Sequence, residues 1–237
     1  MKRCENNVNC VDCTCRIDSV FGTFASSDLN ILNQNKICYT YKKGDVIFQE
    51  GTYPHGVFCV RSGKIKILKH GLEGKDQLIR FSKGGDLIGY RALLSGEPYS
   101  SSAVCLDETL ICFIPKDIII HLISQYSGLA FSIMQRACHE LGEAAKLITN
   151  MAQKSNRERL AEMILVLKTN FGLDSDGAID VKLSREELAS MVGTATESLI
   201  RILSDFKEEG LIDTIGKKIK PLNVKGIIKT ARLSDLI

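Results

Sequence analysis

One short segment near the C-terminus constrains the fold most, because it carries two helix-start signatures ten residues apart. Ser184 is followed three residues later by Glu187, and Thr194 by Glu197. Each pair is typical of a capping box, in which two side chains satisfy backbone amides of the first helical turn. Gly193 suits the left-handed position that ends a helix. The segment therefore predicts two short helices joined by a tight turn, the helix-turn-helix arrangement of many DNA-binding proteins.

The second predicted helix has two chemically different sides. Apolar residues recur with helical spacing on one side, and the other side is mostly polar. The first set is Ala195, Leu199, Ile202, Leu203 and Phe206, and the second is Thr196, Glu197, Ile200, Arg201 and Ser204. We expect the second side to enter a major groove. The alternative is an ordinary helical hairpin in which Arg201 is a solvated surface charge.

The residues that follow favour DNA binding. Apolar and polar residues alternate from Gly210 to Lys220 around Gly216-Lys217, which predicts a short hairpin. A helix-turn-helix followed by such a hairpin is a winged helix, whose lysines would neutralise phosphates while the helix reads bases. The predicted DNA-contacting residues are Thr194, Thr196, Glu197, Ile200, Arg201, Lys217 and Lys218, with Lys220 as a further phosphate contact.

Composition sets the class of protein. The chain has 237 residues, 44% hydrophobic and 25% charged, as in an ordinary soluble protein of one or two domains. A net charge of +3 is too small to argue for nucleic acid by itself. The polar N-terminal region does not resemble a signal peptide, and no apolar run reaches the roughly 18 residues that span a membrane. We therefore expect a cytoplasmic protein without a membrane partner.

The cysteine content points to a metal or to redox sensing. Nine cysteines are present, and the cytoplasm keeps thiols reduced, so that a disulfide framework is not expected. Four cysteines in apolar surroundings are interpreted as small buried hydrophobes. They are Cys38, Cys59, Cys105 and Cys138.

The rest of the chain divides into β-like and helical parts. A short helix is expected over residues 26–35, and β-like runs separated by glycine turns follow from residue 37 to residue 115, which favours an antiparallel sandwich or barrel. After Pro115 the pattern is helical, and Arg157 to Phe171 forms one amphipathic helix.

A heptad stripe lies in the first part of the helical region. Its members are Met134, Cys138, Leu141, Ala145, Ile148 and Ala152. The spacing predicts a dimer seam, because paired recognition helices must lie about one DNA turn apart. The alternative is that the stripe packs on the β-domain of the same chain.

Several motifs resemble the CRP/FNR transcription regulators over almost the whole length. They are YKKGDVIFQEG, VFCVRSGKIKI, KGGDLIGYRALLSGEP, CFIP, NRERLAEMILVL and LSREELASMVGTATESLIRILSDFKEEGLI. The resemblance implies an α+β fold with a cysteine-rich tail over residues 1–20, an antiparallel β-roll sensor over 21–127, a dimerisation helix over 128–153 and a winged helix-turn-helix over 154–237. It also implies a homodimer, an inverted repeat in double-stranded DNA, and RNA polymerase as a further partner.

The resemblance assigns base reading to Glu197 and Arg201, which match the family's Glu and Arg four residues apart. Arg can form a bidentate contact with guanine, and Glu can accept from cytosine. The alternative for Glu197 is a capping role with Thr194. Thr196 departs from the cyclic-AMP-binding members, which carry Arg there, and Ile200 could meet a thymine methyl group.

The effector positions also depart from the cyclic-AMP-binding branch. That branch has a Glu for the ribose and an Arg-Ser pair for the phosphate. Here Tyr90 follows Gly89, and Ser100-Ser101 stand at the phosphate position. Without its guanidinium, a buried phosphate would lose a charge-assisted pair, so that cyclic AMP is not the expected effector. Arg91 is the alternative partner for a phosphate.

The FNR branch instead holds an iron-sulfur cluster on three tail cysteines and one from the β-roll. Cys10 and Cys13 match a tail pair and Cys112 matches the β-roll ligand, whereas Ser19 stands where the third tail ligand is expected. Thiolates suit iron-sulfur clusters and zinc alike. The expected metal ligands are therefore Cys10, Cys13 and Cys112 with Cys15 or Cys4. A tail with spare thiols is the alternative.

Two other classes of protein are weighed against this one. A metal or redox sensor acting through protein partners would not need the recognition helix and the lysine wing. A thiol-dependent oxidoreductase would place the CVDC tetrapeptide in a thioredoxin-like βαβ unit, which the sequence around it lacks. The expectation is a regulator and not an enzyme.

Overall fold

Short apolar runs broken by glycine turns form two antiparallel sheets in the computed structural model, which describes residues 2–3, 9–71 and 76–233. One sheet has the order β1-β2-β9-β4-β7 and the other β3-β8-β5-β6. The first contains β1 (Lys2–Arg3), β2 (Ile37–Tyr41), β4 (Gly56–Ser62), β7 (Leu87–Ile88) and β9 (Thr109–Pro115). The second contains β3 (Val46–Phe48), β5 (Lys64–His70), β6 (Asp76–Lys83) and β8 (Ser102–Cys105).

Close approach of the strands requires glycine at one position of the first sheet. A Cβ atom at Gly56 would lie 2.2 Å from the Ile114 carbonyl oxygen of the neighbouring strand, which is far inside van der Waals contact. Gly56 therefore lets β4 pair with the end of β9, beside the segment that contains Cys112.

Four helices complete this part of the chain. They are α1 (Ser26–Asn35), α2 (Tyr90–Ser95), α3 (Lys116–Gln125) and the long α4 (Ser127–Gln153). Leu129 and Ile133 of α4 are buried in one apolar core together with Leu29 of α1 and Leu122 of α3. Residues 1–142 form one compact unit and residues 143–237 a second.

The second unit contains the helix-turn-helix and the hairpin that were expected. Its elements are α5 (Asn156–Phe171), α6 (Arg185–Val192), α7 (Thr196–Glu208), β10 (Ile212–Ile215), β11 (Lys218–Pro221) and α8 (Val224–Thr230). The fold class and the helices predicted at 26–35 and 157–171 are confirmed. At the end of the predicted β-region, residues 102–115 form two strands, because the chain turns at residues 106–108 to change sheets.

No single helix of the described ranges is long and apolar enough to cross a membrane. Helices α3 and α4 pass that test only when taken together, and they are bent by 108° at the break between them.

Candidate functional site

The helix-turn-helix begins with the capping box that the sequence predicts. The Ser184 amide donates to the Glu187 carboxylate at 2.7 Å, and the Glu187 amide donates to the Ser184 hydroxyl at 3.1 Å. Gly193 ends α6 in the left-handed region, with φ 69° and ψ 48°. These local signals fix the turn and therefore the start of α7.

The second predicted capping box is wrong. Helix α7 has Ala195 at its N-cap, without a side-chain cap. The Thr194 hydroxyl instead accepts a hydrogen bond from Asn156 Nδ2 at 2.9 Å, so that it ties the turn to α5. Glu197 therefore has no capping role, and its carboxylate remains available for another partner.

One face of α7 is packed and the other is exposed. Leu199, Leu203 and Phe206 are buried. Glu197 and Arg201 are exposed, and among the described residues neither forms an ion pair. Ile200 between them is 50% exposed, and Thr196 is half-buried. The helix thus presents an acidic, an apolar and a basic group on one surface, as the sequence predicts.

The hairpin lysines differ from one another. Lys217, in the two-residue turn between β10 and β11, is exposed, and Lys220 is half-buried. Lys218 Nζ instead donates to the carboxylates of Asp174 at 2.6 Å and Asp180 at 3.1 Å. Its assignment as a phosphate contact does not agree with this geometry, because two carboxylates already neutralise its ammonium group.

The heptad stripe of α4 is exposed along its length. Met134, Leu141 and Ile148 are 56%, 72% and 71% exposed, and Cys138 and Ala145 are exposed as well. The alternative in which this stripe packs on the β-domain is wrong, since Leu129 and Ile133 on another face of the helix do so. Cys138 is correspondingly not a buried hydrophobe. Phe131, at 57% exposure, extends the stripe by one position and was not predicted.

The residues expected at an effector pocket differ in their exposure. Tyr90 is 2% exposed, and Arg91 and Ser100 lie on the surface. Burial and the neighbouring Glu140 carboxylate raise the pKa of Tyr90 to about 12. Gly89 has a φ of 83°, and a Cβ atom at this position would lie 3.3 Å from the Tyr99 ring. Ser101 is half-buried.

A cavity of about 40 Å³ lies between the cysteine-bearing tail and the first sheet. Five thiols line it, together with three cationic side chains. The thiols are those of Cys10, Cys13, Cys15, Cys59 and Cys112, and the cations are Arg16, Lys36 and Arg61. We call this space the thiol cavity. Cys4, the other predicted tail ligand, lies outside the described residues.

Cys59 is the member of the thiol cavity that the sequence interpretation missed. It was predicted to be a buried hydrophobe, but it lies opposite Cys112 in the register of β4 and β9 and its thiol lines the cavity. Cys38 lies opposite Cys112 on the other side, on β2. Three cysteines thus stand side by side across three strands, whereas Cys105 is buried in a separate core.

Two pairs of sulfur atoms are close. Cys13 Sγ is 3.4 Å from Cys15 Sγ, and Cys38 Sγ is 2.9 Å from Cys112 Sγ. The hydrogen bond from the Cys112 thiol lowers the pKa of Cys38 to about 6. The same bond raises the pKa of Cys112. A metal bound at Cys112 would have to displace this proton.

Burial governs the other thiols of the cavity. It raises the pKa values of Cys10 and Cys59, and it raises that of Cys15 to about 11. In the described ranges, no group of three or more Cys, His, Asp or Glu side chains is already arranged around a metal position. The thiols therefore line one cavity, but their sulfur atoms do not converge on a single metal position.

Comparison with known proteins agrees with this architecture. The cyclic nucleotide-binding domain model matches residues 39–126, and the Crp-like helix-turn-helix domain model matches residues 158–229. The chain is 26% identical to the fumarate and nitrate reduction regulatory protein of Vibrio cholerae, over 96% of this chain and 92% of that protein. It is 28% identical to electron transport regulator A of Shewanella oneidensis, over 90% and 86%.

A solved structure shows the same fold. It is a putative transcriptional regulator of the crp/fnr family from Eubacterium rectale, which superposes with a TM-score of 0.74 at 20% identity, over 90% of this chain and 97% of that one. The chain belongs to the CRP/FNR family of transcription regulators. It is a DNA-binding regulator of transcription, and the alternative of a sensor without DNA binding is not favoured.

Proposed function

We propose that the chain binds an inverted repeat as a homodimer and reads each half-site with Glu197, Ile200 and Arg201. The observation that carries this proposal is the exposed face of α7, where these three side chains follow one another at helical spacing. The Arg201 guanidinium suits a guanine, the Glu197 carboxylate a cytosine amine, and Ile200 a thymine methyl group. Lys217 adds a contact to phosphate that carries no sequence information.

The exposed stripe of α4 supports the dimer. A row of apolar side chains from Phe131 to Ile148 lies in solvent in the single chain. Packing against the same row of a second copy would bury it with the knobs-into-holes geometry of a coiled coil. The twofold axis would then place two α7 helices on successive turns of one face of DNA. RNA polymerase is the expected further partner of a regulator bound at a promoter.

We further propose that the thiol cavity holds an iron-sulfur cluster that reports oxygen. The donor chemistry fits, because five thiols and three cations line one space, and thiolates are the ligands of such clusters. Cys10, Cys13 and Cys112 would hold it, with Cys15 or Cys59 as the fourth ligand. The cluster would supply an oxygen-labile link, and Arg16, Lys36 and Arg61 would offset the charge of the thiolates. Cyclic AMP is not the proposed effector.

The DNA-reading proposal is tested by selection of bound sequences from a random DNA library with protein prepared without oxygen. We expect an inverted repeat whose half-sites contain an invariant G·C pair. Arg201→Ala should cost about 1–3 kcal/mol on that sequence and relax the preference at one base pair per half-site. Arg91→Ala, which removes an exposed cation from the β-roll, is the matched control. Unchanged affinity in Arg201→Ala would refute the assignment of the reading face.

The cluster proposal is tested by the iron, sulfide and visible absorbance of anaerobic protein. Cys112→Ser should lose all three, and Cys38→Ser should keep them, because Cys38 does not line the thiol cavity. Comparison of Cys15→Ser with Cys59→Ser identifies the fourth ligand. Protein that is colourless and free of iron when purified without oxygen would contradict the proposal.

A further inference from the structure

Two buried thiols lie at near-bonding distance in the first sheet. Cys38 of β2 and Cys112 of β9 are directly opposite each other in antiparallel register, and their sulfur atoms are 2.9 Å apart. Cα atoms of opposed antiparallel residues lie about 4.5–5.5 Å apart, which is inside the range that a disulfide bridges. Formation of the bond therefore needs little movement of either strand.

The two thiols differ in access. Cys112 lines the thiol cavity, whereas Cys38 lies behind it and is 6% exposed. A small oxidant that enters the cavity would reach Cys112 first and find Cys38 as the nearest second thiol. Cys59, opposite Cys112 on β4, and the Cys13–Cys15 pair at 3.4 Å are the competing partners in the same region.

We propose that Cys38 and Cys112 form a reversible disulfide when the metal-free protein meets a peroxide. Either sulfur of the pair can carry the shared proton, and when it lies on Cys38 the Cys112 thiolate attacks one peroxide oxygen and breaks the O–O bond. This gives a sulfenic acid and a hydroxide ion, which takes a proton from solvent and becomes the first water. Cys38 sulfur then attacks the sulfur of the sulfenic acid and displaces its hydroxyl group, which leaves as a second water with the Cys38 thiol proton. Hydrogen peroxide is reduced to two waters, and two thiols are oxidised to one disulfide.

A cross-strand disulfide inside a rigid sheet is expected to be reducible. A thiol reductant can attack the bridge at the Cys112 sulfur, which lines the thiol cavity. The bond would also remove the Cys112 thiol from the thiol cavity. If Cys112 is a ligand, which rests on the function proposed above, the disulfide keeps the protein in its metal-free state until a thiol reductant restores it.

The test uses metal-free full-length protein and one equivalent of hydrogen peroxide. Peptide mapping should link the Cys38 peptide to the Cys112 peptide, with loss of two hydrogens from the intact mass and reversal by dithiothreitol. Cys38→Ser and Cys112→Ser should abolish the link. Cys105→Ser, which removes a thiol buried elsewhere, should retain it. A link of Cys112 to Cys59, a link of Cys13 to Cys15 alone, or no link would overturn the proposal.

A second measurement separates the disulfide from the metal site. Co²⁺, whose thiolate complexes absorb in the visible, is titrated without oxygen before and after the peroxide step. Wild type should lose cobalt binding after peroxide with the loss of two hydrogens from its intact mass, and should regain cobalt binding after reduction. Cys38→Ser, which lacks the second thiol of the pair, should instead gain one oxygen at Cys112. A disulfide that forms but leaves cobalt binding unchanged supports the thiol pair and contradicts Cys112 as a ligand. Wild-type cobalt binding that is lost to peroxide but does not return after reduction would overturn the proposal that the disulfide reversibly withholds Cys112 from the thiol cavity.

Discussion

The Arg159 guanidinium donates a hydrogen bond to the Val192 backbone carbonyl at 2.7 Å. The same group donates to the carbonyl of Lys154 at 2.6 Å and to that of Met151 at 3.2 Å. It therefore bridges the backbone at the C-terminal ends of α4 and α6, where carbonyls lack helical partners and a cation is favoured. The end of the long helix is tied in this way to the turn that sets α7.

Replacement of Arg159 should disturb that tie. Arg159→Lys keeps the positive charge, but an ammonium group cannot donate to three carbonyls with the planar geometry of a guanidinium. We expect a loss of about 1–3 kcal/mol in the free energy of unfolding, the cost of leaving partly buried carbonyls unpaired. Affinity for the selected DNA should fall while the dimer persists in sedimentation. The control is Arg157→Lys, two residues earlier, whose guanidinium pairs with Glu209 and contacts none of these carbonyls. Wild-type unfolding and DNA affinity in Arg159→Lys would contradict this role.

The lysines of the hairpin should separate into two classes. Lys217→Ala should weaken binding to every DNA sequence and reduce the salt dependence of the affinity, because an exposed phosphate contact is lost. Lys218→Ala should instead lower the free energy of unfolding, since it leaves Asp174 and Asp180 without their cation. Affinity measured over a salt series and urea unfolding distinguish the two. Equal salt slopes for both variants would contradict the assignment.

The ion pair of Asp174 predicts a pH dependence. The Lys218 ammonium holds the pKa of Asp174 below its usual range. A carboxyl whose pKa is lowered by folding stabilises the fold above its unfolded pKa of about 3.9, and this contribution disappears as pH falls through the folded pKa. Asp174→Asn should therefore unfold at lower urea than wild type at neutral pH, and the gap should close below about pH 3.9. Asp176→Asn, on an exposed neighbour, should show no such gap. A gap that persists in acid would refute the prediction.

A charge in the exposed stripe of α4 should separate the dimer. Leu141→Glu would bring two carboxylates together in the seam, which costs the packing of an apolar pair and adds repulsion. Sedimentation should show monomers that bind the inverted repeat far more weakly. Val166→Glu changes a 44% exposed side chain of α5 and should remain dimeric. A dimeric Leu141→Glu protein would place the seam elsewhere.

Much of the fold could be predicted because its signals are local. The Ser184 capping box, Gly193 and the alternation around Gly216 each depend on a few consecutive residues, and the structure follows them. The second capping box was wrong because Asn156, 38 residues earlier in the chain, takes the Thr194 hydroxyl. A pattern of a few consecutive residues cannot predict a hydrogen-bond partner so distant in the chain.

The candidate site was harder to predict, because it depends on residues that come into contact only after folding. Nothing in the local sequence distinguishes Lys218 from Lys217 as a phosphate contact. In the structure, however, the Lys218 ammonium group pairs with Asp174, which lies 44 residues earlier in the chain. Cys59 was interpreted correctly as part of a strand, but only the sheet order β2-β9-β4 brings it beside Cys112. Exposure of the α4 stripe, by contrast, followed from its heptad spacing because a second apolar face was already available to the core.

The most direct measurement of the central claim is the affinity for the selected inverted repeat before and after exposure of one anaerobic sample to air, with its iron content followed in parallel. The account predicts that iron and affinity fall together in wild type and in Cys38→Ser. In Cys112→Ser, iron should be absent and affinity should be low and indifferent to air. A ligand can shift such an equilibrium only if the DNA-binding state holds it better. Full affinity in wild-type protein that has lost its iron would contradict the account.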